Sequence, residues 1–138
     1  LALRLPRSEG NPVKLHAVHH VALWVSDLEP AKDFYVRTLG LAVLRENRRD
    51  DRGDVKLDLQ LGDAELELFC AGGHPARSSY PEALGLRHLA FRVENMDEAV
   101  GWLAGLGIDT EPVRVDPYTG KRMTFFFDPD GQPLELHE

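Results

Sequence analysis

The sequence predicts an α+β fold made of two tandem modules, each running strand, helix, strand, strand, strand. Two repeats and one alternation carry that expectation. His19-His20-Val21-Ala22-Leu23-Trp24-Val25 is matched in pattern by Arg87-His88-Leu89-Ala90-Phe91-Arg92-Val93, an offset of 68 residues from His20 to His88. The same offset carries Leu66-Glu67-Leu68 onto Leu134-Glu135-Leu136, so each half holds one His and one Glu in the same relative places. Between them Val55, Leu57, Leu59 and Leu61 alternate with Lys56, Asp58 and Gln60, the period of two that marks a half-buried strand.

In chain order, residues 1 to 14 mix Pro6, Gly10 and Pro12 with charges and read as a flexible leader to which the sequence assigns no role. A single domain is expected over residues 15 to 138. Its first module (15–71) opens with a strand from Ala17 to Val25 that is almost continuously apolar. Ser26 or Asp27 can cap a helix with Pro30 near its first turn, Ala31, Phe34, Tyr35 and Leu39 inward, and Gly40 as its stop. A strand from Leu41 to Glu46 follows, then a charged loop from Asn47 to Asp54, the alternating strand, a Gly62-Asp63 turn and a strand from Ala64 to Cys70. Residues 72–86, rich in Gly, Pro and Ser, form the linker.

The second module (87–138) repeats the order. A strand covers His88 to Val93. Asn95 or Asp97 caps a helix carrying Met96, Ala99, Val100, Leu103 and Leu106, which Gly105 and Gly107 end. Strands are expected near Thr110 to Val115, Arg122 to Phe127 and Pro133 to His137, with Asp128-Pro129-Asp130-Gly131 as a tight turn.

Composition narrows the function classes. A chain of 138 residues can bury roughly two-thirds of its unfolded surface and needs no disulfide, and Cys70 has no intramolecular partner. Net charge is −7 with the basic residues scattered, which argues against a nucleic-acid partner. No run is apolar enough to span a bilayer, so no membrane partner and a cytoplasmic location are expected.

Strand parity assigns faces. If Val21, Leu23 and Val25 pack under the helix, His20, Ala22 and Trp24 point the other way, as do His88, Ala90 and Arg92. Glu67 and Glu135 share that face by the same count, together with Lys56, Asp58, Thr124 and His137. His19 falls on the helix side as a packed or hydrogen-bonded residue, and His16 and His74 are expected to be exposed. Two imidazoles and two carboxylates make a ligand set for one divalent metal, Ni, Co, Zn, Mn or Fe, in five or six coordination. A lone His or Glu on a strand is usually a bystander, but recurrence of both in both halves argues for a site.

These residues resemble the vicinal oxygen chelate superfamily, which includes glyoxalase I, methylmalonyl-CoA epimerase, extradiol dioxygenases, and fosfomycin-resistance and bleomycin-binding proteins. The likeness covers residues 15 to 138 and rests on His-His-Val-Ala-Leu at His20, Leu-Glu-Leu-Phe at Glu67, Gly-Leu-Arg-His-Leu-Ala-Phe at His88 and Asp-Pro-Asp-Gly-Gln-Pro-Leu-Glu-Leu at Glu135. It implies paired βαβββ modules forming a cupped mixed sheet around a metal held by His20, Glu67, His88 and Glu135. The His, Glu, His, Glu quartet is similar to that of glyoxalase I. The stretch Val115 to Phe126 is similar to small bacterial glyoxalase-I-like metalloproteins.

The resemblance implies a lyase or isomerase of lactoylglutathione lyase type. Its small substrate would bind through vicinal oxygens and react through an enediolate, with Glu135 or Glu67 as the base. Another enzyme of the superfamily, such as an epimerase, dioxygenase or resistance enzyme, and a non-catalytic small-molecule binder are the alternatives. Trp24 stands where glyoxalase I resembles an arginine that grips glutathione, which turns a charged anchor into an aromatic wall. Arg92, with Lys121 or Arg122, could hold a substrate anion instead. The family resemblance also implies a homodimer, with the metal site either closed within one chain or shared between two.

Overall fold

A computed structural model of the chain describes residues 13 to 138. Of the expected leader, residues 1 to 12 lie outside the described residues, and Val13 and Lys14 are exposed and belong to no helix or strand.

The first module contains β1 (His20–Trp24), α1 (Leu28–Lys32), β2 (Val43–Arg49), β3 (Asp54–Leu61) and β4 (Ala64–Cys70). The second contains β5 (Leu89–Arg92), α2 (Met96–Gly105), β6 (Arg114–Val115), β7 (Arg122–Phe127) and β8 (Pro133–His137). Each module makes one four-stranded mixed sheet, in the orders β1-β4-β3-β2 and β5-β8-β7-β6. In both, the first strand pairs in parallel with the last, and the other neighbours are antiparallel. The tandem βαβββ organisation is therefore as the sequence predicts.

Local chemistry explains where the boundaries shift. Asp27 caps α1 by accepting from the Glu29 amide, and Asn95 caps α2 by accepting from the Glu98 amide. The first helix continues as a π-helical segment, Asp33–Thr38, closed by the Leu39 amide on the Phe34 carbonyl at 2.8 Å. Gly40 then takes φ +79°, the left-handed conformation that ends the helix. β2 runs further than expected, because Arg49 grips Asp54 with two hydrogen bonds of 2.6 Å and closes the hairpin, so the charged loop shrinks to the turn at 50–53. The strand expected from Thr110 shrinks to Arg114–Val115, since Pro112 has no amide to donate.

One core joins the modules. Leu57, Leu59, Leu66, Leu68, Met96, Leu103 and Leu134 are fully buried, each such side chain stabilising the fold by roughly 1.5–3 kcal/mol. Phe34 packs near Phe126 of β7, with ring centres 6.3 Å apart. Beside them the Tyr35 hydroxyl donates to Asp128 Oδ2 at 2.7 Å, out of solvent. Asp128 also accepts the amides of Asp130 and Gln132, while Asp130 takes the amide and hydroxyl of Ser26. Burial pushes the Asp128 carboxyl above the usual carboxylate range, against the pull of its three hydrogen bonds. Burial, and then the Asp128 charge, push the Tyr35 hydroxyl far above its ordinary value.

The end of β8 is tied to α2. Glu138 accepts from Arg122 at 2.8 and 3.0 Å and from the Met96 amide at 3.1 Å, and Arg122 also reaches Asp97 at 3.1 Å. Its bonds to Arg122, then to Met96, hold the Glu138 carboxyl down at about 2.

Two outcomes follow for stability. Tyr35→Phe removes one hydrogen bond from a buried carboxylate and should lower the unfolding free energy by about 1–3 kcal/mol in urea titration. A loss below about 0.5 kcal/mol would show that the contact is incidental. Because the folded-state pKa of Glu138 is depressed, its stabilisation is complete above the ordinary carboxylate range and disappears as pH falls toward about 2. Thermal melts should find wild type more stable than Glu138→Gln near neutrality, with the gap closing through that acid window.

Candidate metal centre

Each pair of predicted ligands comes from a parallel strand pair. Ala22 of β1 lies beside Glu67 of β4, and Ala90 of β5 lies beside Glu135 of β8. The two alanines leave space above the sheet, across which the histidine two residues earlier reaches the glutamate. His20 Nδ1 stands 3.6 Å from Glu67 Oε2, and His88 Nε2 stands 3.3 Å from Glu135 Oε1. Glu67 and Glu135 are 8% and 6% exposed, so the carboxylates are fixed in the sheet while the imidazoles stay open to solvent.

The surroundings differ. Beside Glu67 stands Asp58 of β3, with Lys56 next along the face. Lys56 Nζ lies 3.2 Å from Asp58 Oδ1 and 3.6 Å from Glu67 Oε1. Arg45 donates to Asp58 at 2.9 Å and to Glu65 at 2.6 Å. Beside Glu135 stands Phe125, whose ring meets His88 edge-on with centres 5.0 Å apart. Met123 takes the place next to it, against His137.

The two pairs sit on different sheets, and among the described residues no three His, Cys, Asp or Glu side chains gather to hold a metal ion. One chain thus presents two separate His–Glu pairs, each a candidate half-site.

The remaining predicted residues divide. Trp24 is 51% exposed, with the His74 ring over it at 3.9 Å and Phe69 at 5.6 Å. It borders a hollow of about 470 Å³ that Ala22, His74, Arg77 and Asp130 also line. Arg92 is exposed, lies in register with His137 and has no ion-pair partner among the described residues. Lys121 is exposed at the start of β7. His137 lies on the Glu135 face, its ring 3.9 Å from Asp116. His19, expected on the helix side, is exposed, with its Nδ1 2.9 Å from that of His20.

Two expectations are corrected. Arg122 points to the helix side, where Glu138 and Asp97 engage its guanidinium, and it does not reach the open face. Thr124 is fully buried opposite Leu136 and donates to the Glu111 carbonyl at 2.6 Å. The Thr124 error has a clear cause. The constant offset pairs Lys56 with Thr124, whereas the strand registers pair Lys56 with Met123 and Asp58 with Phe125, one residue earlier. That slip hid Phe125 and Met123, and the signal for it was already present in Gly40-Leu41 aligning with Gly107-Ile108 one residue out.

Comparison with known proteins agrees with this architecture. The profile of the Glyoxalase/Bleomycin resistance protein/Dioxygenase superfamily matches residues 17–136. The chain is 54% identical to YwkD of Bacillus subtilis, over 90% of this chain and 98% of that one. It is 60% identical to a glyoxalase family protein from Enterococcus faecalis of known crystal structure, with TM-score 0.86, covering 90% of this chain and 98% of that one. More distant relatives include the 2-epi-5-epi-valiolone epimerase of an Actinomyces species, 34% identical over 87% of this chain and 78% of the relative. A probable lactoylglutathione lyase of Vibrio cholerae is 28% identical, over 88% of this chain and 89% of the relative. With the profile spanning both modules and both half-sites, the chain belongs to the Glyoxalase/Bleomycin resistance protein/Dioxygenase superfamily.

Proposed function

We propose that the protein is a metal-dependent lyase or isomerase of glyoxalase I type, moving a proton between neighbouring carbons of a small substrate that presents two vicinal oxygens. The repeated His–Glu pair, at 3.6 Å in one module and 3.3 Å in the other, carries this reading. Ligands about 2.0–2.2 Å from one ion lie roughly 3–3.5 Å from each other, so the second pair already has the spacing of neighbouring ligands and the first lies just beyond it. Two imidazoles and two carboxylates suit Ni, Co, Zn, Mn or Fe.

A half-site offers too few donors to hold such an ion by itself. We therefore assign the complete centre to a homodimer, with His20 and Glu67 of one chain facing His88 and Glu135 of its partner. A divalent ion there supplies Lewis acidity to the substrate's two oxygens and stabilises the charge that builds on them. The chain's own residues do the rest. Glu135 or Glu67 takes the proton from the carbon beside the carbonyl and returns it to the neighbouring one. Trp24 walls one side of the substrate, and Arg92, with Lys121, neutralises an anionic end.

A second reading is an epimerase, which needs the same proton abstraction beside a carbonyl but returns the proton to the opposite face of the same carbon. The greater identity to the valiolone epimerase than to the lactoylglutathione lyase favours it, as does Trp24 where an arginine would grip glutathione.

The deciding assay is turnover of the hemithioacetal of methylglyoxal and glutathione by protein stripped of metal and reloaded with each candidate ion. Activity with one ion, reduced about 10²–10⁴-fold or more by Glu135→Gln, is the expected result. Stoichiometric metal without turnover would reject the glyoxalase reaction and leave the epimerase. Sharing between chains has its own check. His20→Ala and His88→Ala each damage both centres of a homodimer, but after subunit exchange the mixed dimer holds one intact centre. Mixing should restore about a quarter of wild-type bound metal, and no recovery would place each centre inside a single chain.

A further inference from the structure

The two half-sites are chemically unlike, although the repeat makes their ligands alike. On the first sheet three carboxylates, Glu65, Asp58 and Glu67, share the face that carries His20. At the equivalent positions of the second sheet stand Pro133, Phe125 and Glu135, so only the ligand carboxylate remains. The first half-site could therefore offer an ion several oxygens, and the second only those of Glu135.

Two cations occupy the surplus. Arg45 bridges Glu65 and Asp58. Lys56 lies 3.2 Å and 3.4 Å from the two oxygens of Asp58 and 3.6 Å from Glu67 Oε1, leaving Glu67 Oε2 as the oxygen turned toward His20. Lys56 has no counterpart in the second module, where Met123 holds its place and no competing carboxylate needs restraint.

We propose, resting on the functional reading above, that Lys56 is a positioning residue that limits the first module to one carboxylate oxygen. It keeps Asp58 and Glu67 Oε1 engaged, so that the ion is left room for a two-oxygen substrate. The arithmetic of coordination gives this its importance. An ion with roughly six positions and four protein donors has about two left, the number that a vicinal-oxygen ligand requires. A fifth protein oxygen would leave one. Lys56 thus acts on substrate chelation through Glu67 and Asp58 without touching substrate.

The test uses full-length protein loaded with Co(II), whose visible absorption weakens as coordination number rises, and acetohydroxamate as a small chelator with two vicinal oxygens. Lys56→Met should weaken the visible band, bind Co(II) about tenfold more tightly through the added negative charge and bind acetohydroxamate about tenfold less well. Lys56→Gln, a second neutral variant, should behave in the same way, and Lys56→Arg should retain wild-type values. A merely structural lysine would move thermal stability and leave the spectrum and chelator affinity alone. If both neutral variants match wild type in spectrum and acetohydroxamate binding, the role of Lys56 is overturned while the functional reading stands. Failure of wild type itself to bind Co(II) would overturn both.

Discussion

The two modules meet around a buried bond between Tyr35 and Asp128, which ties the first helical segment to the turn before β8. Asp128 belongs to the turn leading into β8, the strand that carries Glu135, while Tyr35 belongs to the π-helical segment of the first module. A carboxylate placed among Phe34, Phe126 and the leucines of the core is costly unless its lone pairs are used. Three donors use them, and Ser26 secures the neighbouring Asp130 in the same way. The polar turn can therefore pack into an apolar junction, and β8 enters its sheet with a defined register.

From that register the half-sites follow. Parallel pairing of the first and last strands in each module sets an alanine beside a glutamate and leaves a histidine one pleat away. Nothing in the pairing of the two sheets brings the four candidate residues together, because each sheet is complete by itself, with β1 or β5 at its edge. Two separate His–Glu pairs are what the proposed shared centre would require of one chain.

Much of this was legible in the sequence because it rests on short periods and local chemistry. Alternation marked β3, and Asp27, Asn95 and Gly40 marked helix ends through hydrogen bonds or a backbone conformation that only nearby residues decide. The parity of His20, Glu67, His88 and Glu135 held because the matched segments carry no insertion. What escaped depends on contacts distant in sequence. The reach of β2 is set by Arg49 finding Asp54, and the place of Arg122 by Glu138 and Asp97. The π-helical turn escaped too, since over six residues it turns nearly the same side chains inward as an α-helix does. For Thr124 and Phe125 a single residue of slip exchanged the faces, the penalty that any strand pays for a miscounted connection.

Unlike floors beneath like ligands have a stereochemical consequence. In a centre assembled from both half-sites, a bound substrate would meet a charged sheet bearing Lys56 and Asp58 on one side and an aromatic one bearing Phe125 on the other. Its two prochiral faces would meet different surroundings, although the donors holding it are nearly symmetric. Handedness in the product would then come from the residues in which the two repeats have diverged, not from those they have kept in common.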